Sequence, residues 1–86
     1  MVHEVVLKPS AAKELSCLPR EILKRVDAEL LGLTFNPRPP GAIKLSGMDD
    51  LYRLRVGRYR IIYRIEDERL IVLVLRIGHR RDVYRH

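Results

Sequence analysis

The sequence predicts an α+β fold in which an N-terminal strand and an antiparallel two-helix hairpin precede a three-stranded antiparallel meander that forms one sheet. Three observations support this prediction. An early apolar stretch stops at a proline, and two segments with apolar residues at helical spacing follow it. From residue 51 onward, apolar residues recur at every second position instead. The 86 residues are 47% hydrophobic and 33% charged, which predicts a single domain over 1–86 with helices covering one face of its sheet.

In the first half of the chain, the pattern predicts one strand and two helices. Residues 2–7 form the apolar stretch, which Pro9 stops. Ser10 is predicted to cap the first helix, and Pro19 is predicted to end it and to begin the second. The second helix is amphipathic, because four apolar side chains recur on one stripe: Ile22, Val26, Leu30 and Leu33. The short connection between the helices predicts an antiparallel hairpin.

A loop and a β-hairpin are predicted next. Residues 36–41 contain three prolines and end in glycine, so they are predicted to cross to the sheet as a loop. Residues 51–56 and 59–65 then alternate between apolar and polar side chains, as strands do. Gly57 and Arg58, which separate these two segments, predict a tight reversal.

The last predicted strand is the most apolar part of the chain. It follows a turn at residues 66–68, and residues 70–75 are apolar at every position. Such a run favours a central strand covered on both faces, and Gly78 is predicted to end it. This strand completes the predicted meander.

The positive charge is concentrated in the second half of the chain. Residues 1–52 carry seven basic and seven acidic side chains, whereas residues 53–86 carry ten arginines and four acidic side chains and hold the entire net charge of +6. Guanidinium groups bind phosphate oxygens, so nucleic acid is one predicted partner. A solvated strand surface is the alternative. If the hairpin register brings them together, Arg53, Arg55 and Arg60 share the sheet face away from the helices.

The sequence lacks the signals of several other protein classes. Its longest apolar run has six residues, against the roughly 20 of a membrane-spanning helix, so no membrane partner is expected. The first residues do not resemble a secretory signal, and a cytoplasmic location is expected. The single cysteine, Cys17, is expected to be buried among apolar helix residues. His3, His79 and His86 lack metal-ligand spacing, and neither a metal site nor a small-molecule cofactor is expected.

One group of side chains supports catalysis: Arg53, Arg55, Arg60, Arg80 and Tyr84. Cleavage of RNA needs no metal if a base takes the proton of the ribose 2′-OH, cations stabilise the growing phosphate charge, and an acid protonates the leaving 5′ oxygen. Arginines lower the pKa of a nearby tyrosine from its usual value of about 10. The residues alone leave open the alternative that the tyrosine packs on the sheet and the arginines keep the chain soluble.

Four segments of the second half carry motifs that are specific in combination: Lys44-Leu45-Ser46-Gly47-Met48, Leu51-Tyr52-Arg53-Leu54-Arg55, Tyr59-Arg60-Ile61-Ile62-Tyr63 and Ile77-Gly78-His79-Arg80-Arg81-Asp82-Val83-Tyr84. With the helical hairpin, they resemble the RelE branch of the RelE/ParE toxin superfamily over nearly the whole chain. The resemblance implies a RelE-like fold and the toxin of a type II toxin–antitoxin system. Such a toxin is an mRNA interferase, a ribosome-dependent endoribonuclease that cuts messenger RNA without a metal, inhibits translation and is silenced by a cognate antitoxin.

The resemblance also implies roles for individual residues. Arg60 would stabilise the phosphate in the transition state, Arg80 would be a general acid or a second charge stabiliser, and Tyr84 would be the general base. The RNA-binding positions implied are Arg53, Arg55, Arg58 and Arg81. Relatives often carry lysine at the first two of these positions, and arginine there keeps the charge but excludes proton transfer. His79 is a turn residue or a further candidate acid or base.

Two other functions are compatible with the sequence. A ParE-like toxin shares the fold but inhibits DNA gyrase by binding, and it lacks the nuclease residues, so Arg60, Arg80 and Tyr84 argue against it. A nucleic-acid-binding module would hold RNA or DNA without cutting it. The substitution Tyr84→Phe separates these functions, because it abolishes toxicity only if the chain is the endonuclease.

Overall fold

The computed structural model describes residues 2–45, 47 and 50–79. Within these residues, the helices are α1 (Pro9–Ser16) and α2 (Arg20–Phe35). The strands are β1 (Glu4–Leu7), β2 (Ile43–Lys44), β3 (Leu51–Val56), β4 (Tyr59–Glu66) and β5 (Ile71–His79). They form one sheet in the order β1-β5-β4-β3-β2. The predicted α+β architecture is confirmed, with the correction that the described part of the sheet has five strands instead of four.

Strand β5 lies inside the sheet, as predicted for the apolar run. It pairs with β1 in parallel on one side and with β4 antiparallel on the other, and β4 pairs antiparallel with β3. The predicted meander is therefore confirmed. Strand β5 begins after Leu70, whose φ of 54° belongs to the preceding turn. It also continues through Gly78 to His79, contrary to the prediction, because both residues remain paired with β4.

The strand that the sequence did not predict is β2. Its two residues, Ile43 and Lys44, pair with Arg53 and Tyr52 of β3. Two residues are too few to display an alternating pattern, so no periodicity identifies them. Pairing with β3, and not a local preference, makes this short segment the edge strand of the sheet.

Both helices begin at slightly different positions from those predicted. Helix α1 starts at Pro9, and Lys8 is its N-cap without a side-chain hydrogen bond, so Ser10 lies in the first turn and is not the cap. Proline suits this first position because its φ is already helical and its missing N–H has no partner there. Pro19 is the N-cap of α2, not its first residue, because its ψ of 145° is extended. No helix among the described residues is long and apolar enough to span a membrane.

The helices cover one face of the sheet, as predicted. Helix α1 packs against β5 and β1, and α2 packs against β1 and β3. The predicted stripe of α2 is confirmed, since Val26, Leu30 and Leu33 are buried and Ile22 is partly buried. Helix and strand residues form one core, to which the sheet contributes Leu54, Val56, Ile61, Tyr63, Ile65, Val72, Val74 and Ile77.

Truncation of Leu33 is expected to destabilise the fold strongly. This side chain is fully buried, with 0% exposure, where α2 meets the sheet. Leu33→Ala removes apolar contacts and leaves a cavity, which lowers the free energy of unfolding by about 2–5 kcal/mol. Urea denaturation followed by circular dichroism measures this change. Leu31→Ala is the matched control, because Leu31 lies on the same helix but is 64% exposed, and a similar loss in both variants would contradict the position of the core.

The position of Cys17 corrects the sequence prediction. Cys17 is exposed. Helix α1 ends at Ser16, and Cys17 is the C-cap residue, whose backbone N–H donates to the carbonyl oxygen of Glu14 at 3.2 Å. The apolar spacing of α1 does not continue through this residue, which explains why it is not packed into the core.

Candidate functional site

The register of β3 and β4 brings the three predicted strand arginines onto one face of the sheet. Arg55 lies directly opposite Arg60, and Arg53 lies opposite Ile62. Residues opposite each other on antiparallel strands share a face, and the alternating residue Leu54 points into the core with the helices. The arginines therefore lie on the side away from the helices. This surface is termed the arginine face, and it carries Arg53, Arg55, Arg60 and Arg64.

The turn between β3 and β4 sets this register. Gly57 has a φ of 61°, in the left-handed region that favours glycine. Gly57 is the first of the two turn residues, and the second, Arg58, does not have a positive φ. This combination is typical of a type II′ turn, whose twist matches that of the two hairpin strands. The closing pair is Val56 and Tyr59. The predicted reversal is confirmed, and it leaves Arg58 exposed at the end of the hairpin.

Arg55 and Arg60 form a like-charge pair on the arginine face. Directly opposite residues of antiparallel strands have Cβ atoms about 5 Å apart, and like charges at this distance destabilise a sheet. Arg60 is also buried, with 5% exposure. This burial excludes, for Arg60, the alternative of a solvated surface charge. Charges gathered in this way favour an anionic ligand that binds to both.

Arg53 provides a second sign of an anion site. Its Nε is buried and has no hydrogen-bond partner among the described residues. A buried donor without a partner destabilises a protein by about 1–3 kcal/mol, and such groups are few in native proteins.

Arg64 and one further arginine, Arg76, also lie on this side of the sheet. Arg64, exposed on β4, lies opposite Leu51 of β3. Arg76 of β5 lies opposite Ile62, the same residue that Arg53 faces from β3. The alternation of β4 already indicated the side of Arg64. The position of Arg76 was not predictable, because a bulge between Ile62 and Tyr63 shifts the register of β5 by one residue.

His79 lies on the other face of the sheet from Arg60. It is paired with Tyr59, and the two rings meet edge to face with centroids 5.7 Å apart. Tyr59 is paired with Val56, which belongs to the core on the helix side. Arg60 is paired instead with Gly78. The register therefore does not bring His79 together with the arginines, which favours packing with Tyr59 over acid or base action.

The remaining predicted site residues, Arg80, Arg81 and Tyr84, lie outside the described residues. The structure does establish where the chain leading to them runs. Gly78 is directly opposite Arg60 on the neighbouring strand, and Arg80 follows Gly78 by two residues in the sequence. The described part of β5 therefore leads from the arginine face to the segment that carries the candidate acid and base.

A polar cluster at the opposite end of the sheet joins four segments of the chain. Arg38, in the proline-rich loop, donates from Nη2 to Oδ2 of Asp67 at 2.8 Å and from Nε to the hydroxyl of Tyr52 at 3.0 Å. The Nε2 of buried His3 lies 3.2 Å from Oδ1 of Asp67. The hydrogen bond from Arg38, and then that from His3, holds the pKa of Asp67 below its usual value.

Two tyrosines connect this cluster to the core. The rings of Tyr52 and Tyr63 stack with centroids 5.9 Å apart, and the hydroxyl of Tyr63 donates to the carbonyl oxygen of Pro37 at 2.9 Å. Burial raises the pKa of Tyr63 to about 12. Tyr63 therefore remains a hydrogen-bond donor at neutral pH and fastens the proline-rich loop to the sheet.

The Asp67 ion pair is expected to make stability depend on pH in the acid range. Because its folded pKa is lowered, Asp67 contributes stability above its unfolded pKa of about 4, and this contribution is lost as the pH falls through the folded pKa. The stability of the wild type relative to Asp67→Asn should therefore decrease as the pH falls below about 4. Urea unfolding at a series of pH values from 7 downward measures the difference, and a difference that stays constant through the acid range would contradict this assignment.

Comparison with known proteins identifies the family. The family model described as the ParE toxin of the type II toxin–antitoxin system parDE matches residues 5–84. Toxin RelG of Mycobacterium tuberculosis is 35% identical over 86 residues, covering 99% of both chains. The mRNA interferase toxin RelE of Escherichia coli K12 is 35% identical over 78 residues, covering 86% of this chain and 81% of that toxin.

A solved structure supports the same relationship. In the archaeal RelE–RelB complex from Pyrococcus horikoshii, one chain matches with a TM-score of 0.83 at 30% identity, and the match covers 93% of this chain and 97% of that one. The sheet with two helices on one face is thus the fold of a solved RelE–RelB chain. The chain therefore belongs to the RelE/ParE family of toxins from type II toxin–antitoxin systems.

Proposed function

We propose that this toxin is an mRNA interferase, which cleaves messenger RNA on the ribosome and is inhibited by a cognate antitoxin. One observation carries the proposal: the arginine face places the like-charge pair Arg55 and Arg60 next to Arg53, whose buried Nε has no partner among the described residues. This concentration of positive charge matches the charge of an RNA backbone. The relative named mRNA interferase toxin RelE supports the same activity.

The proposed reaction is an attack of the ribose 2′ oxygen on the adjacent phosphorus. A new 2′-O–P bond forms and the P–O5′ bond breaks, leaving a 2′,3′-cyclic phosphate and a 5′-hydroxyl. Tyr84 takes the 2′-OH proton, Arg60 stabilises the phosphate as its negative charge grows, and Arg80 stabilises the charge on the leaving 5′ oxygen, which takes its proton from water. No metal takes part in this scheme.

The remaining arginines are proposed to hold RNA. Arg53 and Arg55 bind the messenger RNA backbone, while Arg58 at the hairpin tip and Arg81 extend the contact to ribosomal RNA. Each phosphate contact releases counterions, so binding should weaken steeply as the salt concentration rises. The solved RelE–RelB complex supports an antitoxin partner for this chain, and a flexible acidic segment that folds on the basic surface would fit it.

Cleavage in a reconstituted translation reaction tests the proposal. Messenger RNA is incubated with the purified toxin, with and without ribosomes, and the cut sites are mapped by primer extension. Cuts that require ribosomes are expected. Cuts of equal rate in free RNA would contradict ribosome dependence, and no cuts at any toxin concentration would contradict the nuclease function.

The second candidate function is DNA gyrase inhibition, which the resemblance to ParE toxins implies, and the matching family model is described as a ParE toxin. A supercoiling assay with purified gyrase distinguishes the two functions. The proposed interferase should leave supercoiling unchanged at concentrations that cut messenger RNA. Inhibition of supercoiling without RNA cleavage would instead identify a ParE-like toxin.

A further inference from the structure

We propose that Glu14 of α1 is a positioning residue, which holds the last described part of β5 in place beside Arg60. This inference rests on the proposed mRNA interferase function. It concerns a carboxylate on the first helix, far in the sequence from the arginine face.

Strand β1 is shorter than its neighbour β5. The two strands pair only as far as Leu7 and Val74, and the N–H of Lys8 makes a last bond to the carbonyl oxygen of Val74. Pro9 then begins α1, whereas β5 continues to His79. Within the described residues, positions 75–79 of β5 therefore have no neighbouring strand on this side. Backbone groups at such an edge need other partners.

Glu14 supplies the missing partner. Helix α1 packs against β5, and the carboxylate of Glu14 accepts a hydrogen bond from the backbone N–H of Ile77 at 3.0 Å. The same carboxylate accepts one from Nε of Arg76 at 3.1 Å. Hydrogen bonds to an ionised group are shorter and stronger than neutral ones. One side chain thus fixes two consecutive residues of β5, and this pair of bonds is termed the Glu14 clasp.

The Glu14 clasp acts next to the candidate active site. Ile77 precedes Gly78, which lies directly opposite Arg60, and Arg80 follows three residues after Ile77. A shift of the clasped backbone would move this part of β5 relative to Arg60. Rate depends steeply on such geometry, since a displacement of about 1 Å can lower it roughly 100-fold. Glu14 and Arg76 are both partly exposed, and exposed ion pairs add little to global stability. The ion pair with Arg76 is therefore expected to matter little for folding, whereas loss of the acceptor for the Ile77 N–H should lower stability moderately and leave the chain folded.

Two substitutions at Glu14 separate positioning from general stability. Glu14→Ala removes both bonds, whereas Glu14→Gln keeps an oxygen acceptor for the Ile77 N–H but loses the charge that attracts Arg76. Glu29→Ala is the matched control, because Glu29 is an exposed glutamate on α2. Each variant is compared with the wild type by ribosome-dependent cleavage kinetics, thermal melting, and NMR hydrogen exchange of the Ile77 amide.

The expected result is a selective loss of turnover. In Glu14→Ala, kcat measured well below Tm falls roughly 10- to 100-fold with little change in KM, and the Ile77 amide exchanges faster. Glu14→Gln recovers much of both properties, and Glu29→Ala matches the wild type. Full activity of Glu14→Ala would overturn the inference. An activity loss that is explained by a lower Tm, so that activity returns when the assay is cooled, would overturn it as well.

The two proposals fail in different ways. A wild-type chain that cuts messenger RNA beside a fully active Glu14→Ala variant would reject positioning alone. A wild-type chain that cuts no RNA would reject the proposed function. In that case, the NMR amide resonances of Gly78 and His79 still test whether Glu14 positions the end of β5. Resonances that shift in Glu14→Ala but not in Glu29→Ala would support positioning. Resonances that do not change in Glu14→Ala would reject it.

Discussion

Replacement of Arg60 by glutamine is expected to lower the rate constant of ribosome-dependent mRNA cleavage by about 10²- to 10³-fold, the usual effect of removing one transition-state charge stabiliser. Arg60 is buried on the arginine face and lies opposite Arg55. A fixed cation in a site of low dielectric stabilises growing phosphate charge more than a solvated one. Single-turnover cleavage with toxin-saturated ribosomes measures the effect on chemistry separately from binding.

Arg64→Gln is the matched control for Arg60→Gln. Arg64 lies on the same strand and the same face, but it is exposed. Both substitutions change the net charge equally, so a purely electrostatic role in docking predicts similar losses for both. The proposed role predicts a large loss of single-turnover rate only for Arg60→Gln, at a temperature where both variants are folded. Equal losses, or a loss that added toxin overcomes, would contradict a transition-state role.

Replacement of Tyr84 by phenylalanine is expected to reduce cleavage by about 10²- to 10⁴-fold, the usual contribution of a general base. The substitution removes only the hydroxyl, so docking on ribosomes should persist. Growth inhibition in bacteria and single-turnover cleavage both measure the effect. Tyr84 lies outside the described residues, and its role follows from the resemblance to RelE toxins.

Tyr59→Phe is the matched control for this second substitution. Tyr59 packs against His79 on the helix side of the sheet, so loss of its hydroxyl should leave the cleavage rate within a few-fold of the wild type. A Tyr84→Phe variant that remains toxic would reject the general base and favour either a ParE-like toxin or a binding module. A Tyr59→Phe variant as inactive as Tyr84→Phe would show that the assignment to Tyr84 is not specific.

Local periodicity was sufficient to predict most of the fold. The stripe through Val26, Leu30 and Leu33 and the alternation in β3 and β4 are properties of neighbouring residues, and the structure confirms them. Strand β2 depends on a partner distant in the sequence, so its two residues carried no signal. The start of α1 was misplaced for a related reason, since Pro9 and Ser10 both suit a helix start and only the backbone distinguishes them.

The candidate site was predictable where a turn fixes the register and not where a bulge changes it. Gly57 and Arg58 define the hairpin, which places Arg55 opposite Arg60. Between β4 and β5, the bulge beside Ile62 brings Arg76 to the arginine face, a shift that alternation does not indicate. The face of His79 and the bonds of Glu14 also depend on contacts between distant segments, which no local pattern encodes.

The central claim is that the 2′-OH of the messenger RNA is the nucleophile in a reaction promoted at the arginine face. After a cut site has been mapped, the nucleotide on its 5′ side is replaced by the 2′-deoxy form in an otherwise identical RNA, and cleavage on the ribosome is measured. The proposed mechanism predicts that cleavage at this bond disappears, while cuts at unmodified positions persist and leave 2′,3′-cyclic phosphate and 5′-hydroxyl ends. Cleavage of the deoxy-substituted bond at the original rate would contradict it.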